Sequence, residues 1–497
     1  MRLGHLGLRA IEEPRFAWRL VLGICALYVA GFALFTPRAI LIEDEVHYKI
    51  QARMLAAGET EITRVNPYTG TLKTYAPRYP LGTALLMAPL MAALGEPAIH
   101  LVPLGLLILA VVALGRWLEV AGRSPLFALL VLGYPPSLVL GRTLMSDVPS
   151  LAIVAVGLLC FWRGIDRGPG WWLAAGFLAG ASFSIRETNA LVFAPFFAGS
   201  LLRRDRNAWA LVISGLLGLT IRAVSDLTFH DVLYFSRGNY ALEFETLYKR
   251  LPVYLVAMFV FVPFGLALAL CYRGPRRPEL CTTIVLLVAV YLFQQHYSFA
   301  TSSLKRSILA PRYLLPILPV IAFGMAESIP RLWNQFLVRR SVANHQRLRT
   351  WAPRLVGAWA GGIAIAAFAV HPALAWWGST QAAIGDMIQE HAEGDTVIVT
   401  NYSATRKFID GLDRKYLPVP TMDRNPMDIS LLAAIHGEIT LIFLARSDSP
   451  YWLGNAGRNE SFIAAIQGEK NLILDRKLDP RFHLKIWRIR PHREERP

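Results

Sequence analysis

Two carboxylate positions and a set of arginines could carry chemistry in this sequence. The first position is Glu43-Asp44-Glu45, followed by His47 and Tyr48, in the stretch 37–80 that follows the first apolar segment. Three consecutive carboxylates beside a membrane segment are hard to hold in lipid and at home in water. At the mouth of a cavity such a group can take a proton from an acceptor hydroxyl or hold a cation. The same acids suit the start of an amphipathic helix over about 45–57, where negative charge meets the helix dipole. The two roles are compatible, because a carboxylate on a helix start is held rigidly.

The second position is Asp147, in Arg142-Thr143-Leu144-Met145-Ser146-Asp147-Val148-Pro149. Its spacing predicts an N-cap, with Pro149 in the first turn of the next span. An arginine nearby keeps such a carboxylate ionised. The cationic set is Arg78, Arg142, Arg186, Lys305-Arg306 and Arg312. Each can be a loop charge snorkelling to the interface. As a group they suit phosphate, which arginine binds through paired charge-assisted hydrogen bonds.

The elements that must position these groups are membrane spans. The 497 residues are 54% hydrophobic and 17% charged, where soluble domains carry about a quarter charged residues. Apolar segments fall near 18–36, 81–95, 98–115, 125–140, 148–163, 171–184, 189–202, 208–222, 252–272, 279–297, 313–329 and 355–372. The net charge of +16 lies largely in short connections between them, the positive-inside pattern and not a nucleic-acid surface. The largest basic connection, 331–354, holds Arg331, Arg339, Arg340, Arg347, Arg349 and Arg354 and no acid. If every segment crossed, Arg116 and Arg123 would face outward. Removing 81–95, which carries Gly82 and Pro89 after Pro80, repairs the pattern and makes it a re-entrant or interfacial helix. About eleven spans remain, with the N-terminus cytoplasmic. An odd count puts the loop 37–80, the segments 141–147 and 185–188, and the C-terminal tail on the extracytoplasmic face. The first span follows Arg15 and Arg19 without a small-residue cleavage site, which predicts an uncleaved span.

The tail, 373–497, changes character. Runs at Thr396–Thr400, Ile439–Leu444, Leu472–Leu474 and Leu484–Ile489 alternate with helix-like stretches at 379–392, 428–436 and 459–468. This predicts a small α/β domain whose strands are covered on both faces. The expected fold is therefore an α-helical polytopic membrane domain, 1–372, followed by an extracytoplasmic α/β domain, 373–497. Cys25, Cys160, Cys271 and Cys281 lie in or beside apolar segments and form no C-x-x-C pair. Asn401 and Asn459 match the glycosylation pattern, and His296-Tyr297 reads as an interfacial anchor. The motifs G-x-x-x-x-G-K-[ST], G-x-S-x-G and H-E-x-x-H do not occur, so ATP-driven, serine-hydrolase and zincin chemistry lack their signatures.

Four motifs in order carry a family resemblance over about 18–330. Asp44-Glu45-Val46-His47-Tyr48 resembles the Asp-Glu-x-x-Tyr motif in the first outer loop of the GT-C superfamily of membrane glycosyltransferases. It looks most like the branch of the aminoarabinose lipid A transferase and the protein O-mannosyltransferases. Arg78-Tyr79-Pro80-Leu81-Gly82 resembles the family's Tyr-Pro-Pro-Gly element, with Leu81 in place of the second proline. Arg142-Thr143 with Asp147 resembles the second acidic motif. Pro311-Arg312-Tyr313-Leu314-Leu315-Pro316 with Pro319 resembles the element that opens a late span. A lysine that contacts lipid phosphate in some relatives has Arg78 as its nearest counterpart, and the tail matches no family element.

The resemblance implies transfer of a sugar from a polyprenyl-phosphate donor to an envelope lipid, glycan or protein, on the outer face of the inner (plasma) membrane. By position, Asp44 is implied as the base and Asp147 as a second carboxylate that orients the acceptor or Arg142. Glu45, Tyr48, Arg78, Tyr79, Arg142, Arg186 and Arg312 are implied in substrate binding, the arginines on donor phosphate. Direct displacement implies inversion. No cofactor is required; without a clear D-x-D the reading leans metal-free, with a divalent ion kept open. The alternative is a lipid-linked substrate transporter or flippase that uses the acids as a proton relay.

Overall fold

In a computed structural model of the chain, the residues described are 13–65, 71–230, 247–293, 310–338, 342–392, 396–400, 416–418, 429–446, 464, 471–479 and 482–490. The chain opens with α1 (Pro14–Leu34), α2 (Asp44–Ala56) and the strands β1 (Ile62–Val65) and β2 (Leu72–Tyr75). Next come α3 (Gly82–Leu94), a 3-10 turn at Glu96–His100, α4 (Leu101–Val120), and two short helices, α5 (Leu129–Gly133) and α6 (Pro135–Leu140). A helical run follows, made of α7 (Asp147–Arg167), α8 (Pro169–Ser182), α9 (Ala190–Leu202) and α10 (Ala208–His230). Then come α11 (Leu247–Phe261), α12 (Gly265–Leu270), α13 (Arg277–Phe293), a 3-10 helix at Ala310–Ile317, α14 (Leu318–Val338) and α15 (Val342–His391). The chain ends with β3 (Val397–Thr400), β4 (Tyr416–Pro418), α16 (Ile429–His436), β5 (Ile439–Arg446), β6 (Leu472–Asp479) and β7 (Phe482–Ile489).

Among the described residues, six helical segments are long and apolar enough to cross a membrane: Pro14–Leu34, Glu96–Val120, Asp147–Arg167, Ala208–His230, Pro311–Trp333 and Arg354–His391. They match six of the expected spans. Four of the others form shorter or broken helices, each for a local reason. Segment 125–140 is interrupted before Pro135-Pro136, which removes backbone donors and pushes the preceding residue out of the helical region. Helices α8 and α9 have 14 and 13 residues, or about 20 Å each against about 30 Å of hydrocarbon. Segment 252–272 breaks at Phe264, whose φ of 57° is left-handed. Helix α13 runs to Phe293, where the described part of the expected segment 279–297 ends. The segment 81–95 forms α3, a 13-residue apolar helix shorter than the crossing set.

Residue contacts divide the chain into two compact units, 1–36 with 78–372, and 37–77 with 373–497. In the first unit, helices approach closely where glycine allows it. Gly176 and Gly180 of α8 meet Leu211 and Gly215 of α10, while Gly218 lies against the Phe177 carbonyl. Without a hydrophobic drive between helices in lipid, such small-residue contact is what packs them. Trp117 of α4 stacks on Phe323 of α14, with ring centroids 4.4 Å apart and planes inclined by 13°.

In the second unit a five-stranded mixed sheet has the order β4-β3-β5-β7-β6. Strand β3 runs parallel to β4 and β5, and β7 runs antiparallel to β5 and β6, with Val397 opposite Ile439 and Ile439 opposite Ile489. Alternation sends Val397 and Val399 to one face, where Ile429, Leu432 and Ala433 of α16 cover them. Ile398 goes to the other face, against Ile384 and Ile388 at the end of α15. This is the doubly covered sheet the apolar runs predict. β1 and β2 form a separate antiparallel hairpin, with Ile62 opposite Tyr75.

Helix α15 is a single helix of 50 residues that begins inside the basic stretch 331–354 and continues through 372–373. Arginine and lysine are good helix formers, so a run of them does not make a loop. The helix expected at 459–468, apart from residue 464, lies outside the described residues, as do Asn401, Asn459, His296, Tyr297, Lys305 and Arg306.

Candidate active site

In the first unit, Asp147 is the first residue of α7 and is fully buried. The N-cap is Ser146, and no side chain caps the helix, so the expected capping role of Asp147 is not what the structure shows. The Asp147 carboxylate is instead paired with Arg186, Nη2 to Oδ1 at 2.9 Å. The same Nη2 lies 3.4 Å from the Ser146 hydroxyl. The connection 183–189 that carries Arg186 is tied to the first turn of α7 a second time, because the Ser150 hydroxyl donates to Asn189. The Asn189 amide in turn donates to the Ser182 carbonyl at 3.2 Å. Carboxylate and arginine are thus held from both sides.

Arg186 also lies over the ring of Tyr313, 5.4 Å from its centroid, and the buried Arg312 lies 4.9 Å from the same ring. Tyr313 stacks on Tyr291 at 5.2 Å, and the Tyr291 hydroxyl is 2.7 Å from that of Thr188. A guanidinium over an aromatic face is attracted by the ring quadrupole. The 3-10 helix bearing Arg312 is fixed by Tyr134, which donates to the Pro311 carbonyl at 2.7 Å.

Next to Arg186, Glu187 meets Arg222 of α10 at 3.3 Å, and Arg222 meets Asp226, one turn along, at 2.8 Å. Arg222 and Asp226, with Ser225 and His230, line a small cleft with room for about one water, whose remaining wall is Arg78, Tyr79, Pro80 and Leu81. Arg78 is exposed, with its guanidinium 5.5 Å from the Tyr79 ring centroid. The loop behind it is anchored at Gly82, whose N–H donates to the Ser184 carbonyl at 2.8 Å. A Cβ on residue 82 would stand 2.6 Å from the Ser184 backbone. Glycine is therefore required here by close approach, and this contact joins the Arg78 loop to the Arg186 loop.

Arg142 is buried and takes protein partners: its guanidinium donates to the Phe35 carbonyl and to Nδ1 of His371. In the second unit, Asp44 begins α2 and is half-buried. Glu45 is buried, with Oε1 accepting from the N–H groups of Leu41 and Ile42 at 3.0 and 2.7 Å. This carboxylate satisfies backbone donors ahead of the helix and fixes its entry. Tyr48 is buried one turn further on.

Of the residues expected from sequence, the structure gathers Asp147, Arg186 and Arg312 in one cluster and places Arg78 and Tyr79 on a small cleft. It sets Arg142 in a separate buried contact, and Asp44, Glu45 and Tyr48 on the first turns of α2. Sequence reading missed Glu187, Arg222, Asp226, Tyr291 and Tyr313. The i, i+4 spacing of Arg222 and Asp226 inside an apolar helix was the signal available.

The fold is similar to that of the solved structures of ArnT from Cupriavidus metallidurans. ArnT from Cupriavidus metallidurans bound to undecaprenyl phosphate superposes over 95% of this chain and 98% of its own, with a TM-score of 0.59 and 11% sequence identity. The apo state of the same protein covers 94% of this chain and 97% of its own, with a TM-score of 0.57 and 12% identity. Identity this low speaks for the fold alone. No known family's sequence profile matches the chain, and no curated protein matches it by sequence.

Proposed function

We propose that this protein is an integral membrane glycosyltransferase that moves a sugar from a polyprenyl-phosphate donor to a cell-envelope acceptor. The observation that carries this reading is the fold shared, over nearly the whole of both chains, with a structure bound to undecaprenyl phosphate. The exposed Arg78 and the cationic cluster at Arg186 and Arg312 support it, since phosphate is the group such forks hold best.

In this reading Arg78 and Arg312 take the donor phosphate and offset the charge it gains as it leaves the sugar. Asp44 takes the proton from the acceptor hydroxyl as its oxygen attacks the anomeric carbon. Asp147, held by Arg186, is the second carboxylate and orients the acceptor. Attack opposite the leaving phosphate inverts the anomeric centre. With arginine neutralising the phosphate, the reading places no metal in the reaction. About eleven crossings and the positive-inside distribution put the N-terminus in the cytoplasm and the unit 37–77 with 373–497 outside.

The transporter reading has one observation in its favour, the buried Arg222–Asp226 pair inside a candidate span. That pair is closed on itself and on Glu187, which suits a fixed frame better than a proton relay.

The test is transfer from a panel of radiolabelled polyprenyl-phosphate sugars to native envelope extract, in detergent, by wild type and Asp44→Asn. Asparagine keeps the shape and removes the proton acceptor, so the variant is expected to lose about 100-fold or more in rate. Transfer by Asp44→Asn at the wild-type rate would remove Asp44 from the role of base.

A further inference from the structure

The loop that delivers Asp147 starts at Arg142, which is only 2% exposed. The two groups its guanidinium bonds belong to different helices. One is the carbonyl of Phe35, the C-cap residue of α1, and the other is His371 on α15. The Phe32 ring lies 5.5 Å from the guanidinium carbon, and the backbone carbonyl of Arg142 is 3.3 Å from His100 Nδ1. A guanidinium can only donate, so Nδ1 of His371 is the acceptor and the ring proton sits on Nε2. His371 is fully buried, 4.5 Å from the Tyr28 ring by centroids. A Cβ on Gly31 would strike the imidazole, so glycine makes room for it. Tyr28 completes the frame by donating to the Leu138 carbonyl at 2.7 Å. Arg142 thus pins the segment 138–142 to the exit of α1 and to α15 at once, a few residues before Asp147.

We propose that Arg142 is a positioning residue: it binds no substrate and sets the loop that places Asp147. This rests on the reading of Asp147 as a site carboxylate in a transferase. Lysine keeps the charge but is a point donor in place of a fork, so it cannot hold both partners.

The experiment uses the full-length protein in detergent. It measures affinity for undecaprenyl phosphate, transfer from the donor panel to envelope extract, and amide exchange of the segment 141–149. Arg142→Lys is expected to keep the Kd for undecaprenyl phosphate within about twofold and to lower the transfer rate about 10- to 100-fold. His371→Asn, whose amide oxygen can replace Nδ1 as acceptor, is expected to stay within about threefold of wild type in rate. His371→Leu is expected to behave like Arg142→Lys, and both should speed exchange of 141–149. A tenfold or larger loss of undecaprenyl phosphate affinity in Arg142→Lys would make it a ligand and overturn the proposal. So would an unchanged transfer rate. If wild type neither binds nor transfers, the transferase reading fails. The exchange data then stand alone: equal exchange in all variants overturns the positioning role, and the order Leu faster than Asn at 371 sustains it.

Discussion

Replacing Arg186 with methionine keeps most of the side-chain bulk and removes the charge that faces Asp147. The partner left behind is fully buried, while Arg186 itself is 14% exposed in its side chain. Stranding one member of a buried pair costs about 3–5 kcal/mol. Asp147→Asn strands the arginine instead, which keeps Tyr313 and Ser146 as partners. It should cost less, about 1–3 kcal/mol. The double variant should be more stable than Arg186→Met alone. The assay is reversible unfolding in detergent followed by tryptophan fluorescence, for both single variants and the double. Equal single-variant losses that simply add in the double would refute the buried-pair account.

Gly82→Ala puts a Cβ 2.6 Å from the Ser184 backbone; it should cost about 1–3 kcal/mol and depress transfer, checked by melting temperature and rate. Arg78→Gln should weaken undecaprenyl phosphate about tenfold, and the wild-type affinity should fall with added salt more steeply than that of the variant, measured by titration at two ionic strengths. In the tail hairpin, hydrogen bonds from Lys485, at 2.8 Å, and then from His483 hold the Asp475 carboxyl below the usual carboxylate range. A lowered carboxyl contributes stability present above its unfolded value and lost as pH falls through the folded one. Amide exchange of 472–489 should therefore become more acid-sensitive in wild type than in Asp475→Asn, with transfer unaffected.

The sheet of the second unit was legible because Val397–Thr400 and Ile439–Leu444 are β-branched, uninterrupted and of strand length. The start of α2 was legible within a residue because Glu43-Asp44-Glu45 suits a helix N-terminus. What sequence could not show is pairing between distant segments. The Asp147–Arg186 bond, the Gly82–Ser184 contact and the Arg142–His371 contact each join residues that no local pattern relates. Asp147 is an instance of a local rule overridden: it has the type and position of a cap, yet the tertiary arginine takes its carboxylate. Apolar composition outlasts helical geometry at Pro135-Pro136 and Phe264. At 342–354 charge masks a continuous helix.

The central claim is that a glycosyl–phosphate bond is broken, and product stoichiometry tests it most directly. Purified protein would be given a labelled polyprenyl-phosphate sugar and envelope extract, and free polyprenyl phosphate would be counted against label joined to the acceptor. The account predicts one free polyprenyl phosphate for each sugar transferred. Donor that crosses a vesicle membrane intact, with no polyprenyl phosphate released, would contradict it and leave a transporter.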